Sequence, residues 1–269
     1  MDFSTADLTR AFLVTAGAGL ATVIGGLLVL FSRKSNARLL AFGLAFASGA
    51  MVYVSLTEIF TKSVDSFSMA YGDKDIGFAY GSAAFLIGIV VVATLDMLLP
   101  NPHHGLVGQA DSDVEESVAN LRRVGLLTMI AITAHNLPEG LATFFTMLDN
   151  PQVGMSLAVA ITLHNIPEGV SIAIPIYYAT NRASLAIGAC FLSALAEPIG
   201  ALLGYAIIGP YLSPAVFGGV FGFIAGIMVF LSMDELLPAA KRYSQGHETV
   251  YGLVLGMISI SASLVAFRL

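Results

Sequence analysis

Eight apolar runs, each long enough to cross a lipid bilayer, constrain this 269-residue chain more than any other feature of its sequence. A helix needs about 20 consecutive apolar residues to cross a hydrocarbon core of about 30 Å. Long runs rich in Gly and Ala do not alternate as the strands of a membrane barrel do. We therefore predict an all-α polytopic membrane protein that forms one transmembrane domain over residues 1–269. The predicted spans are 8–31, 38–60, 76–100, 123–148, 153–179, 184–208, 213–240 and 249–268.

The composition excludes the common classes of soluble protein. Hydrophobic residues make up 57% of the chain and charged residues only 11%, less than half of the charged fraction of about 25% in soluble domains. A net charge of −6 with 12 Lys and Arg argues against a nucleic-acid partner, which requires a basic face. Cys190 is the single cysteine, so a disulfide framework and a cysteine-based metal cluster are excluded. The acidic N-terminus and its long apolar run predict a retained first span rather than a signal peptide.

Basic residues are unevenly distributed between alternate ends of the predicted spans. Cytoplasmic loops carry an excess of Lys and Arg. The richer side has Arg33, Lys34, Arg38, Arg122, Arg123, Arg182, Lys241 and Arg242, and the poorer side has Arg10, Lys62, Lys74 and Arg268. We therefore predict a multi-pass protein of the bacterial cytoplasmic (inner) membrane with both termini on the non-cytoplasmic side.

One long connection, residues 101–122, is predicted to lie in the cytoplasm. It is acidic and has few apolar residues, which is typical of a solvated, mobile linker. It also contains His103 and His104. A weak, transient capture of metal by these two histidines is the alternative interpretation.

A repeated segment in the fourth and fifth spans carries the chemistry. It reads His135-Asn136-Leu-Pro138-Glu139-Gly140 in the fourth and His164-Asn165-Ile-Pro167-Glu168-Gly169 in the fifth. The two histidines are 29 residues apart, so a short turn between the spans makes them antiparallel and brings both copies near the middle of the membrane. Antiparallel repeats with broken helices at the midplane are where transporters place their substrate sites.

The spacing within each copy suits metal binding. A His at position i and a Glu at i+4 share one helix face, so together they can hold one cation. The Asn at i+1 points about 100° away and suits a second position. The Pro at i+3 is expected to kink each helix, because it lacks a backbone donor. Two facing copies are enough for two metal positions bridged by the carboxylates.

Further acids lie within the predicted spans, where a buried charge costs about 2.5–3.5 kcal/mol on insertion scales. Glu58 lies near the outer end of its span, Glu139, Glu168 and Glu197 near the middle, and Asp96, Asp234 and Glu235 near inner ends. This order suggests an entrance, a site and an exit for a cation. Met51 lies two turns from Glu58, and its thioether could act as a soft ligand.

These motifs resemble those of the ZIP (Zrt/Irt-like) metal transporters, in particular the bacterial ZupT-like members. The Glu197-Pro198 pair of the sixth span and the Asp234-Glu235 pair of the seventh extend the resemblance over nearly the whole chain. The family's known fold has two bundles that shift against each other, and it often forms a homodimer.

The resemblance also implies a binuclear site between kinked helices four and five. It implies a primary metal held by His135, Glu139, His164 and Glu168, with Met51 and Glu58 adjoining. It implies a second metal held by Asn136, Asn165 and Glu197, with Glu139 and Glu168 bridging. Asp96, Asp234 and Glu235 resemble positions suited to metal release toward the cytoplasm. The two histidines of the 101–122 loop fall short of the long His tracts of many eukaryotic members.

The predicted substrate is a divalent transition metal. Imidazole and carboxylate ligands suit Zn²⁺, Fe²⁺, Co²⁺ and Mn²⁺, and Cd²⁺ is a further candidate, whereas Mg²⁺ and Ca²⁺ prefer shells made of oxygen alone. The resemblance makes zinc the leading substrate. We predict uptake of such metals into the cytoplasm by a secondary transporter that is not an enzyme. It needs no cofactor, and its partners are the metal ions and the lipid bilayer.

Two other functions could use similar residues. A two-metal carboxylate site can activate water in an intramembrane metallohydrolase, but the chain lacks the His-Glu-x-x-His motif of such proteases. A proton-coupled carrier of another substrate could use the acids as a proton relay, but it would not need two His-Asn pairs. Within the metal-transport interpretation, the sequence leaves open a carrier and a selective channel.

Overall fold

The computed structural model describes residues 3–31, 37–98 and 114–268, and for some helical residues, His135 among them, only the backbone. These residues form helices and short connections. The α-helices are α1 Thr5–Gly19, α2 Ala21–Phe31, α3 Ala37–Val54, α4 Phe60–Tyr71, α5 Lys74–Leu98, α6 Val114–Asp149, α7 Pro151–Thr180, α8 Ala183–Ala194, α9 Ala196–Ile208, α10 Pro214–Leu231, α11 Leu237–Tyr243 and α12 Glu248–Arg268. A π-helical turn follows α3 at Ser55–Ile59, and another follows α10 at Ser232–Leu236.

The helices confirm the all-α fold. Seven stretches of the described residues are long and apolar enough to cross a membrane, and α6 covers the predicted fourth span. The second stretch is longer than predicted, because helix continues through the π turn and α4 to Tyr71. The predicted loop 101–122 is too long, since α6 begins at Val114. Its residues include Glu, Ala, Leu and Arg, which favour helix even where no apolar face exists. His103 and His104 lie outside the described residues.

Four of the crossings are interrupted rather than straight. The first breaks at Leu20, between α1 and α2, and the sixth at Leu195, between α8 and α9. The second and seventh change to π-helix at Ser55–Ile59 and Ser232–Leu236. π-Helical turns are rare and occur frequently at functional sites. Both of these carry acids, Glu58 in the first and Asp234 with Glu235 in the second.

A one-residue connection folds α6 back onto α7. Asn150 has an extended backbone, and its side-chain oxygen accepts hydrogen bonds from the N–H groups of Gln152 (3.1 Å) and Val153 (3.2 Å). Pro151 occupies the first position of α7, where its missing N–H costs nothing. This turn is shorter than the sequence suggested. It makes α6 and α7 antiparallel neighbours that pack along their length.

The helices divide into two groups by their packing. In bundle A, α7 packs on α2, α6, α8 and α1, while α6 also packs on α9. In bundle B, α12 packs on α3, and α10 packs on α5 and α4, with α11 against α3. We call the contact between the groups the seam: there α7 meets α3 and α12, and α6 meets α10.

Glycines set how closely helices approach within a bundle. A Cβ on Gly169 of α7 would lie 1.9 Å from the backbone oxygen of Thr22 in α2, and one on Gly140 of α6 would lie 2.0 Å from that of Glu197 in α9. In bundle B, a Cβ on Gly226 of α10 would lie 2.1 Å from the oxygen of Phe85 in α5. Small residues of this kind let membrane helices pack backbone to backbone.

The seam is built differently. Among the glycines that the structure describes, every one whose Cβ would come under 3.0 Å from another helix meets a helix of its own bundle. The described glycine that faces the other bundle, Gly43 of α3, would meet only the ring of Pro167 in α7, at 3.2 Å. At the described glycines, the close backbone contacts therefore lie within the bundles and not at the seam.

Candidate metal centre

Three potential metal ligands from the repeated motif lie together in bundle A. Glu139 comes from α6, and His164 and Glu168 come from α7. One ligand atom of each lies within 4.8 Å of those of the other two. All three residues are buried. His164 Nε2 and Glu139 Oε2 are 2.9 Å apart and share a hydrogen bond.

The donor set fits a transition metal. A cluster of one imidazole nitrogen and two carboxylates, closed off from solvent, has the mixed donors that Zn²⁺ and its neighbours accept. The imidazole occupies the position one turn before Glu168 in α7, as the i, i+4 spacing predicts. His135 lies in α6 one turn before Glu139, but its side chain is outside the described residues.

The faces of α7 explain why the ligands point where they do. Successive residues of an α-helix are about 100° apart around its axis. On one side, Pro167 touches α3 across the seam. On the other, Asn165 and Gly169 face α1, α9 and α2 within bundle A. His164 and Glu168 lie between these two directions. Helix α6 repeats the arrangement, with Asn136 and Gly140 turned toward α8 and α9.

Asn165 links three helices beside this cluster. Its Nδ2 donates to the backbone oxygen of Ala18 in α1 at 2.9 Å and to Glu197 Oε1 in α9 at 2.5 Å. Ala18 and Glu197 offer acceptors there, so the amide nitrogen must face them and Oδ1 must point elsewhere. Glu197 and Asn165 are fully buried. Oδ1 of Asn165 and Oε2 of Glu197 have no hydrogen-bond partner among the described residues.

Asn136 is oriented in the same way. Its Nδ2 donates to the backbone oxygen of Ser193 at 3.2 Å and to the Ser193 hydroxyl at 3.3 Å. Its Oδ1 also lacks a hydrogen-bond partner in the described part of the chain, although the residue is fully buried. A buried polar atom without a partner is costly, so these three buried oxygens, two from the repeated motif and one from Glu197, favour a cation as the missing partner.

Two of the predicted ligands lie in bundle B. Met51 is buried in α3, the helix that meets α7 at the seam. Glu58 is buried in the π turn Ser55–Ile59, which packs on α10. Glu58 does not join the close cluster of Glu139, His164 and Glu168.

The three acids predicted at inner span ends come together. One carboxylate oxygen each of Asp96, Asp234 and Glu235 lies within 4.8 Å of the other two. Asp96 is near the end of α5, and the other two share the π turn Ser232–Leu236. Asp234 is exposed, and Asp96 and Glu235 are half-buried.

Sequence reasoning missed the supporting residues. Ser193 and Ala18 carry no motif, and the part played by Ala18 is a backbone oxygen, which any residue supplies. The link between Asn165 and Glu197 joins residues 32 positions apart on separate helices. Asn165 and Glu197 each carried a signal, one in the repeated motif and the other as an acid in an apolar span, but the bond between them did not.

The sequence is similar to that of known proteins over most of its length. Residues 100–263 match the family described as ZIP zinc transporter. A protein of Stenotrophomonas maltophilia (strain R551-3), named zinc transporter ZupT, is 61% identical over 258 residues, which cover 96% of each chain. Another of that name, from Neisseria meningitidis serogroup C, is 60% identical over 267 residues, covering 99% of both chains.

A more distant relative shows the same likeness. The zinc transporter ZupT of Chlorobium chlorochromatii is 43% identical over 267 residues, which cover 98% of this chain and 99% of that protein. The family match spans more than half of the chain, and these relatives are similar over nearly all of it. The chain therefore belongs to the ZIP zinc transporter family.

Proposed function

We propose that this protein carries divalent transition metals, zinc above all, across the bacterial cytoplasmic membrane into the cytoplasm. The observation that carries the proposal is the buried cluster of Glu139, His164 and Glu168 on two antiparallel helices that border the seam. The relatives named zinc transporter support the choice of zinc. Fe²⁺, Mn²⁺, Co²⁺ and Cd²⁺ are further candidate substrates for the same donors.

In this proposal, the primary metal position consists of Glu139, His164, Glu168 and His135. A metal needs the lone pair of the imidazole nitrogen. Binding at Nε2 of His164 therefore replaces the hydrogen bond to Glu139, and the proton that the two groups share leaves the site. Met51 and Glu58 adjoin this position from bundle B.

A second metal position adjoins the first. Asn136, Asn165 and Glu197 supply oxygens, and Glu139 and Glu168 bridge the two positions. The orientation of both amides supports this arrangement. In each, the amide nitrogen donates hydrogen bonds to the protein, and the amide oxygen is left available to a metal. Oxygen donors make this position harder than the first, which favours broad selectivity.

The division of the ligands between the bundles suggests how the metal moves. The helices that bear Glu139, His164, Glu168, Asn165 and Glu197 all belong to bundle A. The seam lacks backbone-to-backbone contacts at the described glycines, so one bundle can shift against the other while each keeps its packing. Such a shift would move the metal site along bundle B and expose it toward the cytoplasm.

Release is proposed to use the acids of bundle B. Asp96, Asp234 and Glu235 form a partly exposed cluster that would receive the cation on the cytoplasmic side. An inside-negative potential favours inward movement by about 2.3 kcal/mol per charge per 100 mV. In this proposal the protein is a secondary transporter that catalyses no reaction, and the metal is its substrate.

The topology belongs to the same proposal. We place residues 1–269 in one transmembrane domain of the inner membrane, with both termini on the non-cytoplasmic side, as the distribution of Lys and Arg predicts. Exposed apolar side chains along α5 and α12, such as Leu86, Val90, Tyr251 and Ile258, support contact with lipid. A homodimer follows from the family resemblance.

The test is uptake of radiolabelled Zn²⁺ into liposomes that contain the purified protein, under an imposed inside-negative potential. We expect saturable uptake by the wild type and none by Glu168→Ala, because Glu168 contributes to both metal positions. Asp65→Asn, which removes an exposed acid of α4, is the matched control and should transport normally. Equal uptake by Glu168→Ala and wild type would reject the site.

A further inference from the structure

An ion pair crosses the seam far from the metal cluster. Lys62 of α4 in bundle B is paired with Asp149, the last residue of α6 in bundle A. The Lys62 side chain is only 15% exposed and the Asp149 side chain 36%. Lys62 is shielded from water more than Asp149 is, and a partly exposed pair of this kind contributes up to about 1 kcal/mol. The two bundles cannot separate here without breaking this pair.

Aromatic rings pack across the seam beside this ion pair. Phe145 of α6 meets Phe217 of α10 edge to face, with ring centroids 5.7 Å apart. Phe217 stacks on Phe221 at 5.6 Å, and Nζ of Lys62 lies 5.8 Å from the centroid of the Phe221 ring. All three rings are buried. The ammonium group of Lys62 therefore connects the ion pair with the aromatic rings. We call this group of five residues the latch: Lys62, Asp149, Phe145, Phe217 and Phe221.

The latch lies on one side of the metal cluster. In α6, Phe145 and Asp149 follow Glu139 by 6 and 10 residues, which is about 9 and 15 Å along the helix axis at 1.5 Å per residue. Both side chains point to bundle B, as their contacts with Phe217 and Lys62 show. A cation that approaches Glu139 between α6 and α10 from the Asn150 end of α6 would pass these groups.

The position of Lys62 strengthens the argument. It follows Glu58 by four residues, where the π turn gives way to α4. A fixed positive charge beside the path repels an approaching dication, and its pairing with Asp149 also occupies a carboxylate that could attract one. Opening the seam at this end therefore exposes Asp149 as well as the cluster behind it.

We propose that the latch closes the metal cluster from the non-cytoplasmic side and that metal access from that side requires its Lys62–Asp149 pair to break. The inference rests on the proposed function for the direction of transport. The structure shows the latch closed. Loss of either charge should shift the protein toward a state in which the two bundles part at this end.

The test measures access without measuring transport. Cys190→Ala removes the single cysteine, and Ala142→Cys then places a thiol in α6 between Glu139 and Phe145, at a fully buried position. The readout is the rate at which a charged, membrane-impermeant thiol reagent labels this cysteine from the non-cytoplasmic side. We expect Lys62→Met and Asp149→Asn each to raise the rate about fivefold, the effect of about 1 kcal/mol for a partly exposed pair.

Two further variants make the result specific. The exchanged pair, Lys62→Asp with Asp149→Lys, should restore the slow labelling of the parent protein, because the attraction across the seam returns. Arg38→Ala is the matched control, since Arg38 pairs with Glu248 inside bundle B, and it should leave the rate unchanged. Unchanged labelling in both single variants, or no rescue by the exchanged pair, would overturn the proposal.

A second experiment tests the latch by a different route, in case the charge variants fold poorly. Lys62→Cys with Asp149→Cys, in the Cys190→Ala background, can be joined by a short bifunctional thiol reagent. Joining them should stop Zn²⁺ uptake, and cleavage of a reducible linker should restore it. Undiminished uptake by the joined protein would reject the latch. Absence of uptake by the unmodified parent protein would instead reject the proposed function, while the labelling rates would still decide the latch.

Discussion

The interior of each bundle and the seam between the bundles are built on opposite principles. Inside bundle A, Gly169 and Gly140 bring α7 and α6 against the backbones of α2 and α9. Across the seam, contact is made by side chains such as Pro167 and by the Lys62–Asp149 pair. Backbone contacts leave no room for sliding, whereas side chains can change rotamers and partners. The difference supports the proposal that one bundle shifts against the other.

The largest effect is expected from a methyl group added inside a bundle. Gly169→Ala places a Cβ 1.9 Å from the backbone oxygen of Thr22, so α7 and α2 must separate. We expect a loss of about 3 kcal/mol of folding free energy, at the upper end for overpacked cores. Thermal unfolding of the purified protein in detergent measures it.

The control for this prediction is Gly188→Ala in α8, where an added Cβ meets nothing within 4 Å. Its melting temperature should equal that of the parent protein. If Gly169→Ala also had the melting temperature of the parent protein, α7 and α2 would not approach each other closely in the folded state. The contrast between the bundle interior and the seam would then lose its main support.

The next effect concerns metal binding rather than folding. His164→Gln removes the imidazole of the buried cluster and should leave the metal-free protein folded. A ligand at 100 times its Kd stabilises a protein by about 2.7 kcal/mol, and we expect most of this zinc-dependent stabilisation to vanish in the variant. The measurement is the rise in melting temperature on adding Zn²⁺.

His247→Gln tests whether any histidine would have the same effect. His247 is exposed and contacts Tyr251, far in sequence from the motif. Its variant should keep the full response to Zn²⁺. A full response in His164→Gln as well would mean that the tight zinc site lies elsewhere.

A smaller effect is expected at the acidic cluster of bundle B. Asp234→Asn removes one of three neighbouring carboxylates, and a unit charge near a protein surface attracts a cation by about 1 kcal/mol or more. We expect Zn²⁺ uptake to slow about fivefold while Zn²⁺-dependent stabilisation stays intact. A parallel loss of both would show that Asp234 supports the buried site, not release.

The smallest effect is expected at an exposed pair within one bundle. Arg38→Ala breaks the contact between Arg38 and Glu248, and the Arg38 side chain is 63% exposed. Exposed pairs contribute little to stability, so neither the melting temperature nor the uptake rate should change measurably. A clear drop in uptake would show that bundle B is less rigid than its glycine contacts indicate.

The sequence predicted the chemistry of the candidate site better than its architecture. The His and Glu spacing correctly placed His164 and Glu168 on one face of α7, because the helical repeat alone determines that relation. The sequence placed Asp96, Asp234 and Glu235 near the inner ends of two spans, and the structure shows that their carboxylates also lie together. The roles of these residues in transport stay predictions. The start of α6 was predicted too late, since the helix continues into a segment without apolar character.

The supporting contacts could not have been predicted in this way. In a bilayer, lipid is as apolar as a helix neighbour, so an apolar run does not reveal which of its faces is buried. Nothing local in the sequence pairs Lys62 with Asp149 or Asn165 with Glu197, which lie 87 and 32 residues apart. The π turns at Ser55–Ile59 and Ser232–Leu236 likewise carry no sequence signature that we recognised.

By itself, then, the sequence determined that the chain is helical, that it has several stretches long and apolar enough to cross a membrane, and that two antiparallel helices bring histidine and glutamate together. Each of these follows from local physics: the length of apolar runs, the cost of unpaired backbone groups in lipid and the helical repeat. The tertiary structure decided which helices pack backbone to backbone, which way the asparagines face and where the seam runs. These depend on matching small residues on helices distant in sequence, and only the packed structure specifies that match.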